Sequence, residues 1–283
     1  MLIVTSMDYF SKLNDCGYLV LKNILSASEK KIIVKTFYEV LSKYVKIGNN
    51  FSNLNFSNTS LHKKLIDLSE KNPTKFSKLW LELALNASIR SIFYSKKFIN
   101  MFSKILKTKP EFIFLNGFLF RLDAPFDKRT AESWHLDGSY FEQTHPFYNA
   151  GVCWMPLTNN SFNNGTVRFI PGSNKSKVDQ KKLKFKRNRF NANSIEVPVS
   201  EEEEKLIKDV NASFGDAGIF HMHLKHKSGK NISKKFRLTL ICRFHDTSKK
   251  LNSGKEMYIY SKTNSPLLNK NLKYIDSKYF SSF

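Results

Sequence analysis

The segment NAGVCWMPLTNNSFNNGTVRFIPGS, residues 149–173, indicates most directly which fold the chain adopts. Two short runs rich in Val, Trp, Phe and Ile flank a polar stretch of Asn and Ser that ends at Gly165. Short β-branched and aromatic runs separated by turn residues are typical of strands in an all-β sandwich or barrel. The segment therefore predicts two β-strands joined by a loop.

Runs of the same kind recur through the second half of the chain, from about Glu111 onward. Turn residues such as Gly, Asn, Pro and Ser separate them. Many short strands with this punctuation predict a sandwich or jelly roll. The other runs are EFIFLNGFLFRLD (111–123), NSIEVPV (193–199), AGIFHMHLKH (217–226) and FRLTLICRFH (236–245).

The first half of the chain has helical periodicity instead. Ser26 and Glu29 form a capping-box pattern at the start of one apolar stripe. LHKKLIDLSEK predicts a second helix, and Pro73 ends it and begins a third segment that extends to residue 93. The aromatic residues of that segment belong to a core face, and CGYLVLKNIL before the first helix predicts a short strand. We therefore predict an α+β fold, mainly β with helices, whose jelly-roll core carries the N-terminal helices on one sheet.

The 283 residues are expected to form one domain. Residues 1–110 would be a helical support region, 111–250 the jelly-roll core and 251–283 a C-terminal extension. The three cysteines are far apart and form no CxxC pair, which favours a reducing, cytoplasmic location. We expect neither a membrane partner nor a signal peptide, because no long uncharged apolar run and no basic leader occur.

The formal net charge of +22 comes from 46 Lys and Arg residues against 24 Asp and Glu residues. Such a charge indicates an anionic partner, or else only a lysine-rich amino-acid usage. Lys greatly outnumbers Arg, and Lys is the weaker bidentate reader of phosphate. The densest basic run, residues 174–190, is predicted to be a surface loop.

Two sequence motifs suggest a metal site. SWHLDGSY, residues 133–140, places His135 and Asp137 two residues apart, which by itself is a weak signal. Downstream, His226 stands in an H-x-S-G-x-N-x-S context, and Arg237 follows after eleven residues. Two imidazoles and one carboxylate form the facial triad of non-haem iron(II) oxygenases, which leaves coordination positions open for other ligands.

A 2-oxo acid that chelates such an iron needs a cation for its distal carboxylate, and Arg237 is the predicted one. It lies on the strand after the one that carries His226, so we expect the two to be neighbours across a sheet. Thr239 shares the face of Arg237, and Ser228 shares that of His226 if the strand continues, so both can add hydroxyl groups. Arg121 either contacts the cosubstrate or an anionic substrate, or forms a structural salt bridge, for example with Asp123.

His221 and His223 compete with His226 for the place of third ligand. Strand alternation puts both on the face opposite His226 if the strand is regular. A bulge would break that argument, so His223 stays open as an alternative.

The sequence resembles the phytanoyl-CoA dioxygenase-like family of Fe(II)/2-oxoglutarate-dependent dioxygenases. The matching pieces, in order from about residue 16 to 246, are GYLVLKNILS, WHLDG, WMPLTNNSFNNGTVRFIPGSNK and GD…H-x-S-G-x-N-x-S…R. The resemblance implies a double-stranded β-helix of the cupin type, iron ligands His135, Asp137 and His226, and Arg237 as the 2-oxoglutarate anchor. It also implies that Trp154 lines the cosubstrate pocket. Leu136 and Asn174 depart from the family pattern at positions that are not ligands.

The expected activity is hydroxylation of an aliphatic C–H bond in a small molecule, with Fe(II), 2-oxoglutarate and O₂, releasing succinate and CO₂. The lysine excess favours an anionic, carrier-linked or CoA-linked substrate. One alternative is a non-catalytic basic binding protein on the same fold. Another is a nucleic-acid-acting dioxygenase, but such enzymes carry a second arginine near the cosubstrate arginine, and NISKKFRLT offers only Arg237. We therefore expect no nucleic-acid partner.

Overall fold

The computed structural model describes residues 8–47, 54–127, 133–140, 149–158, 160–176, 184–187 and 193–248. Helices occupy the N-terminal part, as predicted. They are α1 (Tyr9–Cys16), α2 (Ala27–Ser42), α3 (Thr59–Lys71), α4 (Pro73–Leu85), α5 (Ala87–Phe93) and α6 (Lys96–Leu106), and a short α7 (Glu201–Glu204) follows later.

Side-chain caps set the helix boundaries. Ser26 accepts a hydrogen bond from the Glu29 backbone while the Glu29 carboxylate accepts one from Ser26, which confirms the predicted capping box of α2. Pro73 begins α4, also as predicted. The segment 73–93, predicted as one helix, is two, because Asn86 leaves helical geometry and its side chain caps the Ile89 amide at the start of α5.

Among the described residues, ten strands form two facing sheets and a separate antiparallel pair. The strands are β1 (Tyr18–Leu21), β2 (Ile113–Asp123), β3 (Ala150–Pro156), β4 (Val167–Phe169), β5 (Lys184–Arg187), β6 (Asn193–Glu196), β7 (Lys208–Asp209), β8 (Ala217–His221), β9 (His226–Ser228) and β10 (Arg237–Asp246). The major sheet has the order β1-β8-β3-β10-β2, and the minor sheet has the order β7-β4-β9. All their pairings are antiparallel, which confirms the predicted α+β fold with a jelly-roll core.

Two segments differ from their prediction. The run 217–226 is not one strand, because β8 ends at His221 and a turn precedes β9. The basic run 174–190, predicted as a loop, contains β5, which pairs with β6. The rest of that run from 177 lies outside the described residues, as does the C-terminal extension from 249 onward.

The major sheet is buried on both faces, and β10 shows how. Its residues Leu238, Leu240, Cys242 and Phe244 belong to the hydrophobic core beneath the helices. Phe244 stacks on Phe102 of α6 with ring centroids 4.3 Å apart. Alternate residues of a strand face opposite sides, so Arg237, Thr239, Ile241 and Arg243 point between the two sheets. The interior of the jelly roll therefore receives the polar side chains of β10.

A second apolar cluster fills the space between the two sheets. Trp154 and Val152 of β3 pack there with Ile241 of β10 and with Val167 and Phe169 of β4. In the part of the chain that the structure describes, no helix has the length and apolarity that a membrane crossing requires.

Candidate metal centre and cosubstrate pocket

His135, Asp137 and His226 come together between the sheets. One ligand atom from each lies within 4.8 Å of the others, and this is the grouping of potential metal ligands found among the described residues. His135 and His226 also pair through their backbones, because each amide donates to the other residue's carbonyl, at 2.9 and 3.1 Å. The bridge joins the loop after β2 to the start of β9, so residues 91 positions apart in sequence share one site.

Backbone hydrogen bonds orient both imidazoles. His135 Nδ1 lies 2.7 Å from the Ser133 carbonyl oxygen, and His226 Nδ1 lies 2.9 Å from the Leu224 carbonyl oxygen. A hydrogen bond of this kind fixes the tautomer and leaves the Nε2 lone pair as the ligand. Burial, with His226 nearby, lowers the pKa of His135 to about 3, so this imidazole is neutral at physiological pH. A neutral imidazole can offer its remaining ring nitrogen to a metal ion.

The Asp137 carboxylate is buried and ionised. Its Oδ2 lies 3.2 Å from His226 Nε2, and its Oδ1 accepts two hydrogen bonds from Arg243. Burial alone would raise the pKa of Asp137, but the Arg243 guanidinium and His226 hold it well below its usual value. The carboxylate therefore stays charged.

Gly138, directly after Asp137, is needed for space. A Cβ atom there would lie 2.5 Å from Cδ2 and 2.8 Å from Nε2 of His223. Its amide donates to the Met222 carbonyl oxygen at 2.8 Å, which ties the metal loop to the turn before β9. His223 is thus a neighbour of the site without being a member of the three-residue cluster. Strand alternation does not fix the faces of His221 and His223 relative to His226, because β8 ends at His221 and β9 begins at His226.

We had predicted that Arg237 and His226 are neighbours across one sheet. This prediction was wrong, because Arg237 lies on the major sheet and His226 lies on the minor sheet. They face each other across the interior, where Arg237 Nη1 lies 3.5 Å from the carbonyl oxygen of Gly229. Ser228 is on the same strand as His226 and shares its face, because Phe169 and Val167 are their successive partners. Ser228 and His226 therefore lie on the minor sheet, and Arg237 faces them from the major sheet.

Asp123 joins the two predicted cationic residues. Its Oδ2 accepts from Nε and Nη2 of Arg237 at 2.9 and 2.7 Å, and its Oδ1 accepts from Nε and Nη2 of Arg121 at 3.2 and 3.0 Å. Asp123 is fully buried, and Arg237 is 3% exposed. The salt bridge considered for Arg121 is present, and the sharing of Asp123 with Arg237 was not foreseen. These three side chains together carry a net charge of +1.

Thr239 is the cross-strand partner of Arg121 and shares the inner face with Arg237. Its side chain is 1% exposed, and its Oγ1 is buried without a hydrogen-bond partner among the described residues. An unpaired buried hydroxyl costs about 1–3 kcal/mol and requires an explanation. A bound oxygen ligand at this place would supply the missing partner.

Arg243 is the residue that the sequence reasoning missed. It follows Arg237 by six residues on the same strand, beyond the segment NISKKFRLT, in which Arg237 is the one arginine. The signal was the even spacing, since residues 237, 239, 241 and 243 of one strand share a face. Its interaction with Asp137 depends on a fold-specific contact and was not readable.

A sequence profile described as phytanoyl-CoA dioxygenase (PhyH) matches residues 13–239. No curated protein sequence matches the chain. Among solved structures, the chain is similar to ThoJ, a non-haem monooxygenase, with 15% identity, 87% of this chain and 80% of that one covered, and a TM-score of 0.58.

Two further solved structures are similar to this chain. One is EctD from S. alaskensis with 2-oxoglutarate and 5-hydroxyectoine, at 17% identity, 87% and 78% coverage and a TM-score of 0.56. The other is SnoK, a non-haem α-ketoglutarate-dependent carbocyclase from nogalamycin biosynthesis, at 13% identity, 92% and 91% coverage and a TM-score of 0.56. At these identities the likeness concerns the fold, and the profile match over 13–239 identifies the family. The chain belongs to the phytanoyl-CoA dioxygenase family of non-haem iron, 2-oxoglutarate-dependent oxygenases.

Proposed function

We propose that the chain hydroxylates an aliphatic C–H bond of a small molecule that carries an anionic, carrier-linked or CoA-linked group. The observation that supports this most directly is the convergence of His135, Asp137 and His226 within 4.8 Å of one another. Two imidazole nitrogens and one carboxylate oxygen are the donor set of a facial iron(II) site. Both imidazoles are oriented by hydrogen bonds to backbone carbonyls, and the Asp137 carboxylate is oriented by Arg243. This orientation suits the three side chains to that metal.

The cosubstrate pocket fits 2-oxoglutarate in charge and in hydrogen bonding. Arg121 and Arg237, which share the Asp123 carboxylate, are cations that can attract a distal carboxylate. The orphan Oγ1 of Thr239 lies on the same face and offers that carboxylate a hydroxyl donor. We assign Arg237 and Thr239 to the distal carboxylate, with Arg121 and Ser228 at the edge of the pocket.

When bound, iron, 2-oxoglutarate and O₂ supply oxidation of the substrate, with the 2-oxo acid converted to succinate and CO₂ and one oxygen atom inserted into a C–H bond. The chain's own residues provide binding, orientation and exclusion of water. His135, Asp137 and His226 hold the metal, and Arg237 fixes the far end of the cosubstrate. Trp154, Val152 and Ile241 line the interior with apolar surface and keep bulk water away from the reacting groups.

An anaerobic titration of the metal-free protein with Fe(II) and then 2-oxoglutarate tests the assignment. We expect the weak visible absorption of an iron–2-oxo acid chelate in the wild-type protein. His226→Ala should lose this absorption, while the matched variant His223→Ala should keep it, because His223 is outside the cluster. Absorption that survives in His226→Ala and disappears in His223→Ala would reassign the third ligand.

Thr239→Val tests folding and cosubstrate binding separately. The side chains of threonine and valine have almost the same shape, so the substitution removes the hydroxyl group and changes little else. Removal of an unpaired buried hydroxyl should raise the free energy of unfolding of the ligand-free protein by about 1 kcal/mol. Loss of a hydrogen bond to a charged carboxylate should at the same time weaken 2-oxoglutarate binding by roughly tenfold. Urea unfolding and calorimetric titration measure the two effects. A less stable variant with unchanged affinity would contradict the assignment.

A nucleic-acid substrate is the second candidate, because Arg243 supplies the second arginine whose absence argued against it. Stimulation of succinate formation distinguishes the candidates. A small amphipathic carboxylate or CoA thioester should stimulate turnover, and a methylated single-stranded oligonucleotide should not. Salt-sensitive oligonucleotide binding without turnover would instead favour a non-catalytic basic binding protein.

A further inference from the structure

Asp137 has two chemically distinct oxygen environments. Oδ1 accepts hydrogen bonds from Nε and Nη2 of Arg243 at 3.0 and 2.6 Å. Oδ2 instead faces His226 Nε2 at 3.2 Å, on the side where the three potential ligand atoms converge. The carboxylate is 2% exposed, so water does not compete for either oxygen to any large extent. One oxygen is therefore occupied by the protein and the other is directed to the metal position.

A β-bulge in the neighbouring strand β2 places a backbone acceptor beside Arg243. Ile241 pairs with Leu119 but Arg243 pairs with Asn116, so β2 has one residue more than β10 between these pairs. Gly117, in the bulge, has a φ of +58°, a conformation that L-amino acids with side chains adopt rarely. Its carbonyl oxygen accepts a hydrogen bond from Arg243 Nη1 at 2.8 Å. The bulge thus holds the guanidinium from the side of β2, while the alternation along β10 directs the side chain between the sheets.

The guanidinium of Arg243 thus has three of its N–H directions fixed in one plane. Nη1 is held by Gly117, while Nε and Nη2 hold Asp137 Oδ1. A lysine could keep the positive charge but could not reproduce this planar fork. The arrangement is specific to arginine for a geometric reason.

We propose that Arg243 is a positioning residue that makes Asp137 a one-oxygen ligand of the iron. Engagement of Oδ1 prevents the carboxylate from rotating to offer both oxygens to the metal. A carboxylate that bound through both oxygens would fill two coordination positions of the metal. One of these positions is needed by the bidentate 2-oxo acid or by O₂. This inference rests on the proposed function, because it assumes that Asp137 is a ligand.

Cobalt(II) substitution tests this role without turnover, because the visible bands of Co(II) depend on coordination number and geometry. Metal-free wild type, Arg243→Lys and Arg243→Met are titrated anaerobically with Co(II), and their thermal stability is measured in parallel. We expect both variants to differ from wild type in the intensity of these bands. We also expect both to bind Fe(II) about 10–100-fold more weakly, as is usual when an outer partner of a ligand is removed. Arg243→Lys keeps a charge in the site and guards against simple misfolding of the methionine variant.

The outcomes separate the two proposals. If wild type binds Co(II) and a folded Arg243→Lys shows the same spectrum with an affinity within about twofold, the positioning role is wrong and the proposed function stands. If Lys restores wild-type behaviour while Met does not, charge and not geometry is what matters, and the inference is again overturned. If wild type binds neither Co(II) nor Fe(II), the proposed function fails and this inference fails with it.

Discussion

Asp137→Ala is expected to lose iron(II) binding and with it all 2-oxoglutarate-dependent turnover. The variant removes the only carboxylate of the His135, Asp137, His226 cluster among the described residues. Changes to outer partners of metal ligands already cost about 10–100-fold in affinity, and removal of a ligand itself should cost more than 100-fold. Anaerobic metal analysis after gel filtration, with the chelate absorption as a second readout, measures the effect.

Stability has to be separated from metal binding in this experiment. Alanine at position 137 removes the carboxylate partner of Arg243, whose side chain is 12% exposed, and breaking a buried ion pair from one side costs about 3–5 kcal/mol. Asp137→Asn is the matched variant, because an amide oxygen can still accept from Arg243. We expect the asparagine variant to fold nearly as well as wild type and still to bind iron weakly. One tightly bound iron per chain in both variants would show that the carboxylate is not a ligand.

The sequence predicted those parts of the fold that depend on local interactions. The capping box at Ser26, the start of α4 at Pro73 and the strand runs around Trp154 and Phe244 follow from propensities and hydrogen bonds within a few residues. The split at Asn86 was missed, because Asn is tolerated inside a helix as well as being a good cap.

The site could be predicted only at the level of its residue types and spacing. His135, Asp137, His226 and Arg237 follow from the motifs and from the resemblance. Their arrangement does not, because it depends on which sheet each strand joins. The placement of β9 in the minor sheet puts His226 opposite Arg237, and no spacing rule contains that information.

The ion pairs Arg237–Asp123 and Arg243–Asp137 could not be predicted from the sequence either. Asp123 is the cross-strand partner of Arg237, and the bulge of β2 at Gly117 places a backbone acceptor beside Arg243. Side chains on paired strands meet according to register, and one extra residue changes every partner beyond it. Charged residues at the ends of strands were visible in the sequence, but their partners were not.

Arg237→Gln is expected to weaken 2-oxoglutarate binding by roughly 100-fold. Two hydrogen bonds between a guanidinium and a carboxylate are worth about 3 kcal/mol or more together, and each 1.4 kcal/mol is a factor of ten. Asp123 holds Nε and Nη2 of Arg237 with one oxygen, so the plane of the guanidinium is set before the cosubstrate arrives. A glutamine side chain can still donate to Asp123, which limits the loss of stability.

Arg121→Gln is the control, because it removes the other cation beside Asp123 while the Arg237–Asp123 pair remains. We expect it to weaken 2-oxoglutarate binding by about tenfold at most, since Arg121 lies at the pocket edge and acts mainly through its charge. Equal losses in both variants would mean that the net positive charge of the pocket, and not a specific anchor, binds the cosubstrate.

Competition with 2-oxopentanoate, which has the same five carbons but lacks the distal carboxylate, resolves that ambiguity. The wild-type protein should strongly prefer 2-oxoglutarate, because the analogue leaves Arg237 and Thr239 without their anion. In Arg237→Gln this preference should fall by about the same factor as the 2-oxoglutarate affinity, while binding of 2-oxopentanoate should hardly change. If both 2-oxo acids lost affinity in parallel, Arg237 would act on the chelating end or on the fold, and the distal carboxylate would have to be bound elsewhere.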